Sequence, residues 1–197
     1  MHRAQPMWER VSAREGVPGH NTSSDHQPVP DHHQTYTFQV FFKEPGMPNY
    51  TSKSLRLGRY SEPGRPYLLT TVVLARQPVF LDWSLGRHVV TELRRAQASG
   101  RVTSLAWVLM PDHLHWLIEL HSSSLASVIR EVKSRSARSF NRHTGRAGPL
   151  WQASFHDRAL RREESVVAAA RYVVANPLRA GLVERLGDYP LWDAVWV

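Results

Sequence analysis

Two histidines one residue apart, His113-Leu114-His115, and a tyrosine and asparagine four apart, Tyr172 and Asn176, are the groups in this 197-residue chain best suited to chemistry. The histidines sit inside Ala106–Leu120, a run rich in apolar residues. Side chains two apart on a strand point the same way, so both imidazoles can reach one metal ion while Leu114 turns into the core. Two neutral imidazoles leave coordination positions open, as a catalytic metal requires. Two surface histidines on a half-exposed strand would show the same spacing, so the pair gains meaning only from a partner. Tyr172 and Asn176 offer one. On a helix they stack one turn above the other, off the stripe formed by Val166, Ala170 and Val173. A phenol becomes a nucleophile when a cation or base stabilises its phenolate, and asparagine brings a neutral oxygen ligand. Without chemistry, the two are a tyrosine at the edge of a core and an asparagine closing a helix before Pro177.

Cysteine is absent, which excludes disulfides and thiolate metal sites and restricts ligands to His, Asp, Glu, Asn or Gln. Seven tryptophans and 42% hydrophobic residues suit a packed core, and the length suits one domain with extensions. No apolar run approaches the roughly 18 residues that cross a bilayer. No secretory leader opens the chain, and no Gly-x-x-x-x-Gly-Lys-Ser/Thr loop cradles a nucleotide. The expectation is a cytosolic protein with no membrane contact and no nucleotide cofactor.

The net charge of +8 is concentrated: between His121 and Arg162 nine Lys/Arg face only Glu131 and Asp157. A basic segment this localised is the footprint of a phosphate-rich partner, although a solvated helix face carries charge in the same way. Arg130, Lys133, Arg135, Arg138 and Arg142 on one helix, with Arg158, Arg161 and Arg162, are candidates to hold the phosphates of such a partner. Lys53, Arg56 and Arg59 form a second basic arm. Trp151 and His156 are candidates to stack exposed bases, while Trp151 with Phe155 also reads as core.

These groups need elements to position them. Residues 1–46 hold scattered Pro, Gly, Ser and His and read as a disordered extension, leaving 47–197 as one domain with Met47 as its expected start. Tyr67 to Leu74 reads as a buried strand, and a helix capped by Asp82 or Ser84 runs to about Ala98. Strands near Val102–Leu109 and His113–His121 form a hairpin through Met110-Pro111-Asp112, where Asp112 reads as a turn former. Helices follow over about Ser124–Asn141, with Leu125, Val128, Ile129 and Val132 inward, and about Glu163–Asn176. The order predicts an α+β sandwich, an antiparallel sheet covered by helices on one face.

Met110-Pro111-Asp112-His113-Leu114-His115 followed by Tyr172-Val173-Val174-Ala175-Asn176-Pro177-Leu178-Arg179-Ala180-Gly181 resembles the REP-associated tyrosine transposases, IS200/IS605-like members of the single-tyrosine HUH endonuclease superfamily. Gly58-Arg59-Tyr60-Ser61-Glu62-Pro63-Gly64, Leu150-Trp151-Gln152-Ala153-Ser154-Phe155-His156-Asp157 and Tyr189-Pro190-Leu191-Trp192 extend the resemblance over about 47–197. It implies a ferredoxin-like fold, His113 and His115 as metal ligands, Tyr172 as the catalytic tyrosine and Asn176 at the position of a third polar ligand. It further implies Mg²⁺ or Mn²⁺ as cofactor and single-stranded hairpin DNA as partner, nicked at repeat elements through a 5′-phosphotyrosine and rejoined. A bacterial, nucleoid-associated protein acting as a monomer or homodimer would fit. The competing expectations are a catalytically silent, domesticated transposase that only binds hairpin DNA, and a metallohydrolase in which Tyr172 is structural.

Overall fold

A computed structural model of the chain describes residues 61–161 and 164–196. The extension expected at 1–46, and Lys53, Arg56, Arg59 and Arg162, lie outside the described residues. The elements are β1 (Pro66–Val72), α1 (Trp83–Ala98), β2 (Val102–Met110), β3 (His113–Leu120), α2 (Leu125–Thr144), β4 (His156–Ala159), α3 (Val166–Val174), α4 (Asn176–Arg179) and β5 (Trp192–Ala194). All neighbouring strands are antiparallel, in the order β4-β1-β3-β2-β5. Through β4 this is the ferredoxin-like β-α-β-β-α-β pattern, and β5 extends one edge.

Local chemistry sets the boundaries. Asp82 caps α1 by accepting from the Ser84 N–H, and Ser124 caps α2 by accepting from Ser127. Gly145, at φ +69°, ends α2 in the left-handed conformation that costs glycine least. Along α2 the buried residues Leu125, Val128, Ile129, Val132, Ser136 and Phe140 keep a helical period, so one face is core and the other water. Gly86 lets α1 approach closely: a Cβ there would stand 2.5 Å from Leu191 Cδ1 and 3.1 Å from Leu109 Cδ2.

The helical cover expected on one face is made by α1 and α2, which lie over Leu109, Leu114 and Trp116. Trp151, beside the end of β1, donates its indole N–H to the buried Ser136 of α2 at 3.0 Å. Helix α3 packs against β2, β3 and β5 and closes the opposite face, the one bearing the two imidazoles. Both faces of β3 are therefore buried, as in Leu117 and Trp116 at 0% exposure on alternate sides. Among the described residues no helix is long and apolar enough to cross a membrane.

Candidate active site

Strand register brings the histidines together. Both are buried, and their Nε2 atoms face each other at 3.2 Å. The outer nitrogens are engaged: Asp112 Oδ1 accepts from His113 Nδ1 at 2.5 Å, and Thr70 Oγ1 lies 2.8 Å from His115 Nδ1. An ionised Asp112 puts the His113 proton on Nδ1 and turns the Nε2 lone pair inward. Two nitrogens 3.2 Å apart and each about 2.1 Å from a shared ion would subtend roughly 100° at it. The imidazole pair thus fits a cation. Among the described residues no group of three His, Cys, Asp or Glu could hold a metal ion, so a third side-chain donor on the described part of the chain would have to be of another type.

The electrostatics keep His115 in ligand form. Burial pushes His115 down to about 3, and His113 and Arg179 add to the shift against the opposing pull of Asp112. Burial would raise the Asp112 carboxyl, but its hydrogen bonds and ion pairs with His113 and Arg76 outweigh that and hold it low. Arg76 reaches Asp112 Oδ2 at 2.9 Å from a tight turn in which Ala75 and Arg76 both have positive φ, 53° and 52°. That backbone is costly for residues with a Cβ, so the turn is held by its surroundings. Asp112 thus does more than form the hairpin turn.

Tyr172 stands on α3, 45% exposed. Asn176 does not continue that helix, which was expected to reach it: α3 ends at Val174 and a separate turn, α4, begins at Asn176. Pro177 is the cause, since its nitrogen has no hydrogen to give the Val173 carbonyl four residues back. Asn176 Nδ2 donates to that carbonyl instead, at 2.7 Å. Its Oδ1 accepts from Arg179 at 2.9 Å.

The basic candidates divide between the two sides of the molecule. Cross-strand partners place His156, Thr70, His115, Val108 and Trp192 in one row across the imidazole face, with His156 about 10 Å from His115 by strand spacing. Arg158 shares that face and pairs with Glu164 at 2.6 Å, and Arg161 is exposed. Arg130, Arg138 and Arg142 are exposed on α2, which covers the other face. Arg135 pairs with Glu131 at 2.8 Å. Lys133 points its ammonium at the carbonyls of Gln152, Ala153 and Ser154, at 2.5, 3.2 and 3.0 Å, and holds that loop to α2. Trp151 is a correction: at 5% exposure and tilted against Phe80 it is core, with no face open to a base.

Sequence reasoning missed Thr70, Arg76 and Arg179 as site residues. Thr70 is one of many strand threonines until the register pairs it with His115. Arg179 carried a legible signal: it lies three residues beyond Asn176, within reach on one face of a turn.

A family model described as IS200-like transposase matches residues 66–176. The chain is 25% identical over 136 residues to the REP-associated tyrosine transposase of Escherichia coli (strain K12), covering 67% of this chain and 78% of that protein. It is also similar to the solved structure of a REP-associated tyrosine transposase bound to a REP hairpin: TM-score 0.55 and 24% identity, covering 74% of this chain and 82% of that one. With the family match spanning more than half its length, and the fold agreeing, this chain belongs to the IS200-like transposases.

Proposed function

We propose that this protein cleaves and rejoins single-stranded DNA at hairpin repeats, with Tyr172 as nucleophile and His113, His115 and Asn176 as ligands of Mg²⁺ or Mn²⁺. The observation that carries the reading is the position of α3: the helix bearing Tyr172 packs over the imidazole face, and Arg179, stacked on Tyr172, is close enough for its charge to act on His115. The hairpin as partner rests on the similar transposase solved with a REP hairpin.

The chain's own residues account for much of the chemistry. Asp112 and Thr70 orient the imidazoles, and burial keeps His115 neutral, so that its Nε2 can present a lone pair toward His113. A bound divalent cation would supply neutralisation and alignment of the scissile phosphate. Tyr172, exposed enough to meet a DNA strand, attacks phosphorus in line with the leaving oxygen. The Tyr172 O–P bond forms as the P–O3′ bond breaks. The phenol gives up its proton and the departing 3′ oxygen takes one up. The bond energy is kept in the phosphotyrosine, so a second 3′-hydroxyl can reverse the step without ATP. His156 and Arg158 flank the strand on this face, while Arg130, Arg138 and Arg142 hold another part of the DNA from the far side.

Labelled single-stranded hairpin DNA incubated with the protein and Mg²⁺ or Mn²⁺, then run on a denaturing gel, tests this. The expected result is label at the protein's mass, lost in Tyr172→Phe while hairpin binding survives. Binding without an adduct would indicate a silent hairpin-binding protein. Cleavage without an adduct would indicate a metallohydrolase.

A further inference from the structure

Arg179 sits where three parts of the site meet. Its guanidinium carbon lies 3.9 Å from the centre of the Tyr172 ring, within the range of a cation–π contact. One of its nitrogens donates to the Tyr172 carbonyl at 3.0 Å, and another donates to Asn176 Oδ1 at 2.9 Å. Its charge is felt at His115. Packing covers only about half of Tyr172, so a stacked guanidinium anchored to the Tyr172 carbonyl and to Asn176 contributes to the ring's posture. The same guanidinium engages the one side-chain oxygen of Asn176 able to serve as a ligand. A divalent cation on that oxygen would stand a few ångströms from the guanidinium's positive charge, so the two compete for the same atom.

We propose that Arg179 is a positioning residue that clasps Tyr172 to Asn176, so that a divalent cation taking the Asn176 oxygen displaces the guanidinium and thereby unseats the Tyr172 ring. This rests on the reading of Asn176 as a ligand and Tyr172 as the nucleophile. Cation binding and release of the nucleophile are then one event. The tyrosine is held back until the groups that align the phosphate are complete. A guanidinium released from Asn176 is also available to a phosphate oxygen arriving with the DNA.

Two measurements on the full chain, without DNA, test the clasp. Mn²⁺ binding is followed by electron paramagnetic resonance in wild type, Arg179→Ala, Asn176→Ala and the double variant. Removing a charge-assisted competitor should tighten Mn²⁺ binding roughly tenfold in Arg179→Ala, and most of that gain should vanish in the Asn176→Ala background. A gain of equal size in both backgrounds would make Arg179 a distant charge and overturn the clasp. Separately, 3-fluorotyrosine at position 172 is observed by ¹⁹F resonance during a Mg²⁺ titration. The wild-type signal should move with the cation. In Arg179→Ala it should start near the wild type's cation-bound position and move no further. Lysine keeps the charge but lacks the planar fork that stacks on the ring, so in the ¹⁹F titration Arg179→Lys should behave as alanine does and carries that test if the alanine variant misfolds. A wild-type signal that ignores bound Mg²⁺, or an equal shift in the variants, overturns the coupling alone. A wild type that binds no Mn²⁺ removes the metal reading and the coupling together. A coupled shift in a protein that forms no DNA adduct keeps the clasp and removes the nucleophile assignment.

Discussion

Thr70 and Thr71 are neighbours on β1 that point to opposite faces, and replacing each with valine should have opposite effects. Thr70 Oγ1 lies 2.8 Å from Nδ1 of His115, a residue only 6% exposed. Valine matches threonine in shape but cannot pair with that nitrogen. A buried polar group left without a partner costs about 1–3 kcal/mol, so Thr70→Val should lower stability by that order. The second loss is in tautomer control: without the hydroxyl nothing at Nδ1 favours the form whose Nε2 lone pair faces His113. Removing such an outer partner typically weakens metal binding by about 10–100-fold. Thr71 Oγ1, 1% exposed on the other face, has no hydrogen-bond partner among the described residues. Its hydroxyl is desolvated without return, and Thr71→Val should raise stability by about 1 kcal/mol with Mn²⁺ affinity unchanged. Thermal unfolding of the chelator-treated protein and Mn²⁺ titration by electron paramagnetic resonance read both quantities. Thr70→Ser, which keeps the hydroxyl, should restore most of the affinity. A folded Thr70→Val protein with wild-type Mn²⁺ affinity would refute the account of how His115 is oriented.

Three further outcomes are expected. His115 is neutral in the folded chelator-treated protein down to about pH 3, whereas the unfolded chain protonates it below about 6.5. Between those values the unfolded state binds the extra proton, so acid destabilises the fold by up to about 1.4 kcal/mol per pH unit. Denaturant melts between pH 6.5 and 4 should show that slope reduced by about one proton in His115→Gln, and an unchanged slope would count against the burial argument. Ser136→Ala strands the buried Trp151 indole N–H that now donates to Ser136 Oγ, at a cost of about 1–3 kcal/mol; an unchanged midpoint in thermal unfolding would contradict this. Finally, each arginine among Arg130, Arg138 and Arg142 that neutralises a phosphate of a single strand should, when changed to alanine, flatten the salt dependence of DNA binding by about 0.7 in log–log slope. Identical slopes would make that face of α2 merely solvated.

What the sequence disclosed followed from local rules. The His-x-His spacing, the cap offered by Asp82 or Ser84 and the apolar stripe of α2 are each written within a few consecutive residues, and each is found in the fold. The edge strands β4 and β5, four and three residues long, were not legible because so short a run carries no usable alternation. Helical spacing from Tyr172 carries α3 on to Asn176, whereas Pro177 forces a break just before that residue. The site's outer residues were hidden for a different reason: Thr70 meets His115 and Arg76 meets Asp112 only through the register of β1 on β3. The basic residues were recognised as a set, yet their division between two faces depends on which side of the sheet α2 occupies.

The carboxamide of Asn176 carries a division of labour that constrains what can replace it. Its nitrogen end mends the backbone bond that Pro177 breaks, while its oxygen end looks outward to Arg179. An aspartate would be the stronger ligand for a hard cation, but with no hydrogen to donate it would set a negative oxygen against the carbonyl of Val173. A side chain with a donor at one end and an acceptor at the other lets the kink and the outward oxygen coexist at a single position. The break in the helix and the chemistry beside it are thus tied to the same amide group.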